Sequence, residues 1–207
     1  MTVTTADWTV LVPVKATTRG KSRLDLPANQ RQAMALAMAL DTVSAAAVCV
    51  QVLVVLEDDG DLAELGAVAG VRVHRTVVKG LNESILDGLS ALPDAGPVAV
   101  LPADLPGLLP DDLRAALALA ARHRFSVVAD HQGAGTTLLA ATTRTDLRPR
   151  YGPNSLRRHV ALGAQPLALA VDSSLRFDVD VLTDTLAGVG PRTRLALASV
   201  EPCRSGR

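Results

Sequence analysis

The chain has 207 residues, 48% of them hydrophobic, and its 21 basic and 21 acidic side chains cancel. That length suits one domain with a sizeable core, and zero net charge argues against a whole-surface affinity for nucleic acid or an anionic membrane. No apolar run approaches the roughly 20 residues that cross a bilayer, and the opening MTVTTADW lacks the basic start and long apolar core of a secretion signal. Cys49 and Cys203 form neither a metal knuckle nor a disulfide framework, so the expectation is a reduced cytoplasmic protein.

The first element, TVLVPV over residues 9–14, is apolar and β-branched and reads as a strand. KATTRGKSRL follows it, with Lys15, Arg19, Lys21 and Arg23 around Gly20 and three hydroxyl residues. A basic, glycine-containing loop straight after the first strand of an α/β pattern is a place for phosphates, although the GxxxxGK[ST] spacing is absent. The alternative is a solvated basic loop.

Residues 27–47 carry apolar positions at helical spacing, with Met34 and Met38 as core filler. Residues 50–56 read as a second buried strand. Glu57, Asp58 and Asp59 then lead into a helix over 61–69, and residues 71–75 form a third, short strand. Residues 79–92 read as a turn and a helix. There Asn82 is either the N-cap or a residue facing a nucleotide across the sheet.

In PVAVLPADLPGLLP, residues 97–110, a short apolar run bounded by proline and glycine reads as a fully buried strand. Asp104 comes just past its carboxyl end, where open α/β sheets bind ligands. A carboxylate there must be hydrated, hydrogen-bonded or bound to a cation. It is either a turn acid or a site residue.

Asp111 and Asp112 open a helix running to about 123, and residues 125–129 form another strand. In HQGAGTTLLAAT, Gly133, Gly135, Thr136 and Thr137 offer N–H groups and hydroxyls to an anion, or simply make a hairpin turn. In RYGPNSLRRH, Ser155 reads as an N-cap whose following N–H groups favour a phosphate or carboxylate. Residues 166–171 read as a late strand. In FDVD, Asp178 and Asp180 alternate, so both point the same way from an extended backbone, and a cation between them relieves their repulsion. Asp180 also suits a cap for a helix over 181–188. Residues 191–207 carry little pattern.

Alternating strands and helices predict a mostly parallel sheet covered on both faces. Three features converge at one edge of it: the basic loop, Asp104, and the Asp178/Asp180 pair. Cations near phosphates and separated carboxylates suit Mg²⁺, a hard ion that bridges to substrate phosphates. No GxSxG elbow, Cys/His pair or spaced histidine set points to a covalent nucleophile or zinc.

LVPVKATTRGKSRL, LPADLP, GTTLL, YGPNS and FDVD, in this order, resemble the guanylyltransferases of coenzyme F-420 biosynthesis over about residues 9 to 190. The resemblance implies an α/β, Rossmann-like mixed sheet of the nucleotide-diphospho-sugar transferase type with a small β-lobe. It implies one domain over 1–207, with a core at about 8–190 and a tail at about 191–207. It implies GTP as donor, phosphoenolpyruvate or 2-phospho-L-lactate as acceptor, Mg²⁺ as cofactor and compatibility with a homodimer. By the same resemblance Pro13, Lys15, Arg19, Lys21, Arg23, Asn82 and Ser84 contact the nucleotide, with Lys15 nearest the attacked phosphorus. Thr136, Gly152 and Ser155 hold the acceptor, and Asp104, Asp178 and Asp180 hold the metal. Competing readings are a nucleotidyltransferase of the same fold acting on a sugar phosphate or molybdopterin cofactor, a glycosyltransferase, and a non-catalytic GTP-binding module. Against the glycosyltransferase, the position for its Asp-x-Asp reads Ala-Asp-Leu.

Overall fold

The computed structural model describes residues 3–14, 26–57, 62–179 and 188–200. Seven strands form one sheet in the order β3-β2-β1-β4-β6-β5-β7. They are β1 (Thr9–Val14), β2 (Gln51–Leu56), β3 (Val71–Arg75), β4 (Val98–Val100), β5 (Phe125–Ala129), β6 (Thr136–Ala141) and β7 (Gln165–Pro166). All neighbouring strands run parallel except β6, which is antiparallel to β4 and β5. The continuous apolar runs of β1, β2 and β4 are explained by burial on both faces.

Six helices accompany the strands: α1 (Ala28–Ala47), α2 (Leu62–Gly66), α3 (Leu81–Ser90), α4 (Pro110–Ala120), α5 (Ser155–Ala161) and α6 (Pro191–Ala198). Alternate residues of each strand divide the core. Val10, Val12, Val52 and Val54 meet Val43 of α1, Leu65 of α2 and Leu117 of α4 on one face. Leu11, Leu53, Val55 and Val100 meet Ile85 and Leu89 of α3 and Leu156 of α5 on the other. Gly88 lets α3 come down on the sheet, since a Cβ there would collide with Val55.

The expected strands and long helices form, and some boundaries differ. The helix expected over 61–69 covers only Leu62–Gly66, and the chain turns at Gly70 with φ 79°. The strand expected over 166–171 pairs only at Gln165–Pro166, and Pro166 is tolerated because its nitrogen faces away from β5 on this edge strand. The last sheet-like bond there is from Leu167 N–H to the Val127 carbonyl at 2.8 Å. All seven described strands lie in the single sheet, so no separate β-lobe stands among the described residues. The patternless stretch after 190 forms α6, which docks on α1 through Ala196 and Leu197 around Met34 and Met38. No helix among the described residues is long and apolar enough to cross a membrane.

Candidate active site

The strand order reverses between β1 and β4, and the crevice outside the carboxyl ends of such a pair is where open α/β sheets bind ligands. The pairing of β1 with β4 ends at Leu11 and Val100, followed by Leu101 N–H to the Leu11 carbonyl at 3.0 Å. Pro13 lies beyond that end and borders only Val55 of β2, which is why a central strand tolerates it. The described part of β1 ends at Val14, at this carboxyl edge. Lys15, Arg19, Lys21 and Arg23 lie outside the described residues, as does Asp180.

Asp104 sits four residues past β4, in a turn held from below by Thr42 of α1. The buried Thr42 hydroxyl donates to the Met38 carbonyl of its own helix at 2.8 Å and accepts the Leu105 N–H at 3.1 Å. One hydroxyl therefore ties the backbone just after the aspartate to α1. The neighbouring Asp41, also buried, accepts the N–H groups of Arg192 and Thr193 at 3.2 and 2.8 Å and so caps α6. The Gly190 N–H reaches the Pro106 carbonyl at 2.7 Å, tying that cap back to the Asp104 turn.

Asp178 arrives at the same turn from far along the chain. The Val179 N–H donates to the Asp104 carbonyl at 3.0 Å, and the Val179 side chain is buried against Met34 and Met38. The two methionines thus serve as core filler, and what they hold in place is the segment bearing Asp178. Asp178 lies 3.8 Å from Nδ1 of His131, whose ring stacks on Phe177 at 5.5 Å. Two aspartates on backbone-joined loops offer the hard oxygen donors that a divalent ion such as Mg²⁺ takes. No set of three or more metal-capable side chains occurs among the described residues.

The opposite wall is the β5–β6 hairpin and the loop before α5. Asp130 closes the hairpin by accepting the Ala134 and Gly135 N–H groups at 2.9 and 2.7 Å. The Gly133 N–H goes to the Asp130 carbonyl at 3.2 Å. Of the two readings of this stretch, an anion site or a hairpin turn, these amides fit the turn: they are spent inside it, and Gly135 is glycine because a Cβ would strike the Asp130 carboxylate.

Thr136 and Ser155 do meet. The buried Ser155 Oγ lies 3.1 Å from Thr136 Oγ1, which lies 3.0 Å from Nδ1 of the fully buried His159. The cap of α5 is Asn154, at φ 57°, so Ser155 is the first helical residue and not the cap. The N–H behind it, on Leu156, is taken by the Ala134 carbonyl at 3.2 Å. Gly152 is exposed at φ 125°, a conformation that favours glycine.

Asn82 lies inside α3, whose cap is Gly80. Its side chain pairs with the Tyr151 backbone, accepting the N–H at 2.7 Å and donating to the carbonyl at 3.1 Å. Both ends of that amide's contact are backbone groups of the loop before α5. Ser84 is buried with its hydroxyl 2.7 Å from the Gly80 carbonyl and 3.0 Å from Glu57. That hydroxyl is engaged within the chain, with the Val78 carbonyl also at 3.2 Å, and is not offered to a nucleotide. Ser84 braces the α3 entrance.

A family model described as "Guanylyl transferase CofC like" matches residues 8–187. The chain belongs to the CofC-like guanylyl transferase family. It is 43% identical over 210 residues to a protein of Thermomonospora curvata named phosphoenolpyruvate guanylyltransferase, covering 96% of this chain and 91% of that one. It is also 43% identical to a Salinispora arenicola protein of the same name, over 94% of this chain and 95% of that one. Among solved structures it resembles a putative nucleotide-diphospho-sugar transferase from Desulfovibrio desulfuricans G20 with a TM-score of 0.59 at 14% identity, covering 79% and 80% of the two chains. That likeness speaks to the fold.

In this CofC-like guanylyltransferase, several residues that shape the site carry no motif. Asp41 and Thr42 are adjacent polar residues that interrupt the apolar run beginning at Ala33 in α1, a break that signals an internal partner. Asp130 follows β5 directly, and its signal is Gly135, the residue immediately before the next strand. His159 lies four residues after Ser155, one helical turn on. Nothing but that spacing marks it.

Proposed function

We propose that this chain transfers GMP from GTP to phosphoenolpyruvate and releases pyrophosphate. The observation that carries the reading is the Val179 N–H bond to the Asp104 carbonyl, which brings the segment bearing Asp178 to the Asp104 turn beside the β1/β4 switch point, in a chain 43% identical to proteins of that name. An oxygen lone pair of the acceptor phosphate forms the new P–O bond to the α-phosphorus of GTP. The α,β-bridging P–O bond breaks, and its electrons leave with pyrophosphate. The acceptor phosphate is already ionised, so the step needs no general base. Catalysis is alignment and charge neutralisation.

Asp104, Asp178 and Asp180 would hold Mg²⁺, which when bound neutralises charge on the phosphates. Lys15, Arg19, Lys21 and Arg23 bind the triphosphate, with Lys15 nearest the α-phosphorus, and Pro13 shapes the floor beneath it. Thr136, Ser155 and the Gly152 backbone hold the acceptor. Asn82 acts on the acceptor side by fixing the Tyr151 backbone.

Pyrophosphate release tests the reading directly, with GTP against phosphoenolpyruvate, 2-phospho-L-lactate and mannose 1-phosphate, each with and without Mg²⁺. The expected result is Mg²⁺-dependent release with phosphoenolpyruvate. GTP binding without release from any acceptor would identify a non-catalytic nucleotide module instead.

A further inference from the structure

We infer that His159 is a positioning residue that makes the Thr136/Ser155 pair a hydroxyl donor, by holding a neutral imidazole with its proton on Nδ1. The inference rests on the reading that these hydroxyls meet the anionic acceptor.

The tautomer follows from one contact. The Arg150 backbone N–H points at Nε2 at 2.9 Å. A backbone amide can only donate, so Nε2 must be the bare nitrogen. The ring proton is then on Nδ1, 3.0 Å from Thr136 Oγ1.

Counting protons gives the consequence. Nδ1–H, the Thr136 O–H and the Ser155 O–H are three donors sharing two hydroxyl oxygens that lie 3.1 Å apart. If Ser155 donates to Thr136, the Thr136 proton points out of the triad. If Thr136 donates to Ser155, the Ser155 proton does. Either way one O–H is left for an outside acceptor, and an ionised phosphate or carboxylate oxygen is the strongest available partner. With the other tautomer the order reverses. Ser155 would donate to Thr136, Thr136 to a bare Nδ1, and nothing would be left to donate outward.

The surroundings hold the ring in this state. His159 is fully buried, and the Tyr151 ring meets it edge-on at 5.1 Å. Desolvation, helped by the charges of Arg150 and Arg158, pushes its pKa down to about 4. The ring therefore stays neutral near pH 7.

Two measurements on the full chain test this. Long-range ¹H–¹⁵N spectra of the ¹⁵N-labelled protein without substrate should give a neutral His159 protonated on Nδ1 from pH 8 to 5. A proton on Nε2, or a charged ring in that range, overturns the inference. Steady-state pyrophosphate release then separates the ring's two nitrogens. His159→Asn keeps an N–H near Nδ1 and loses the acceptor at Nε2, while His159→Gln does the reverse. His159→Gln should raise KM for phosphoenolpyruvate about tenfold or more, as for a lost hydrogen bond to a charged group. Its KM for GTP should stay within about twofold, and His159→Asn should shift the phosphoenolpyruvate KM less than His159→Gln does. Equal shifts in the two variants, or a matching rise in KM for GTP, overturn the donor role. If His159→Gln does not fold, the double variant Thr136→Val with Ser155→Ala, which removes both hydroxyl donors, should give the same selective rise in the phosphoenolpyruvate KM, and a rise shared with GTP refutes the role. Wild-type protein that releases no pyrophosphate with phosphoenolpyruvate would sink the acceptor assignment alone, because the spectrum reads the tautomer without substrate.

Discussion

Acidification should destabilise this protein through His159 before its paired carboxylates titrate. The ordinary histidine pKa is 6.5 and the folded value is about 4. In the window between them the unfolded chain binds a proton that the folded chain refuses. Stability from this group is therefore whole above 6.5 and lost as pH falls toward 4. About 2.5 units at 1.36 kcal/mol each gives a total loss of about 3 kcal/mol, of which about 2 kcal/mol is gone by pH 5. That is a large share of the ~5–15 kcal/mol by which a domain is usually stable. Asp87 and Asp146, held low by hydrogen bonds from His74 and Arg124, lose their contributions below their ordinary 3.8 and fall outside the window. Urea unfolding at half-unit steps from pH 7.5 to 4.5 measures the slope, and the same series on His159→Asn removes the group. The wild-type stability should fall more steeply than the variant's, by about 2 kcal/mol at pH 5. Parallel curves would mean that His159 is not held neutral, and the structural argument for its burial in that state would fail.

Thr42→Val keeps the shape of the side chain and leaves Leu105 N–H without its acceptor, so stability should drop by about 1–3 kcal/mol. The Mg²⁺ concentration for half-maximal activity should rise as the Asp104 turn loosens, and Thr42→Ser should restore both; an unchanged metal requirement would make Thr42 purely structural. Asp104→Asn should abolish Mg²⁺-dependent turnover with a melting temperature close to wild type, whereas a variant that unfolds would make Asp104 a structural residue. Lys15→Ala should lower turnover by about 10²–10³, as for other lost electrostatic stabilisers, with GTP turnover as the readout; unchanged turnover removes Lys15 from the mechanism.

The sheet was legible because its strands obey one strong rule. Runs such as TVLVPV and QVLVVL, buried on both faces, have no competing helical period. The edge of the sheet was legible too, because topology alone sends Asp104 to the carboxyl side of β4. Partners far apart in sequence were not legible. Asn82 reads as a cap or, by resemblance, as a nucleotide contact, yet its amide is matched to the backbone of residue 151, a pairing that no short-range pattern encodes. The glycine-rich turn reads as an anion cradle or a hairpin turn, and only the fold reveals that Asp130 takes its amides. The failure after residue 190 has the same origin. Helix α6 has little apolar periodicity of its own and is held by a cap from Asp41, 151 residues earlier.

These pairings share a physical form that bears on how the site works. Each puts a buried or half-buried side-chain hydroxyl, amide, carboxylate or imidazole against the backbone of a loop at the sheet's carboxyl edge: Thr42 on the Asp104 turn, Asn82 on Tyr151, Asp130 on the hairpin, His159 on Arg150. Breaking any of them strands a backbone donor away from water, which costs more than the bond itself contributes. The loops are therefore held in place before any ligand arrives, and less ordering is left to offset the binding of two like-charged phosphates. In a reaction that asks the protein for alignment more than for chemistry, that preorganisation is where its catalytic contribution resides. It also explains why the clamps come from α1, α3 and α5: rigid helices packed on opposite faces of one sheet can fix loops to a precision that the loops cannot reach alone.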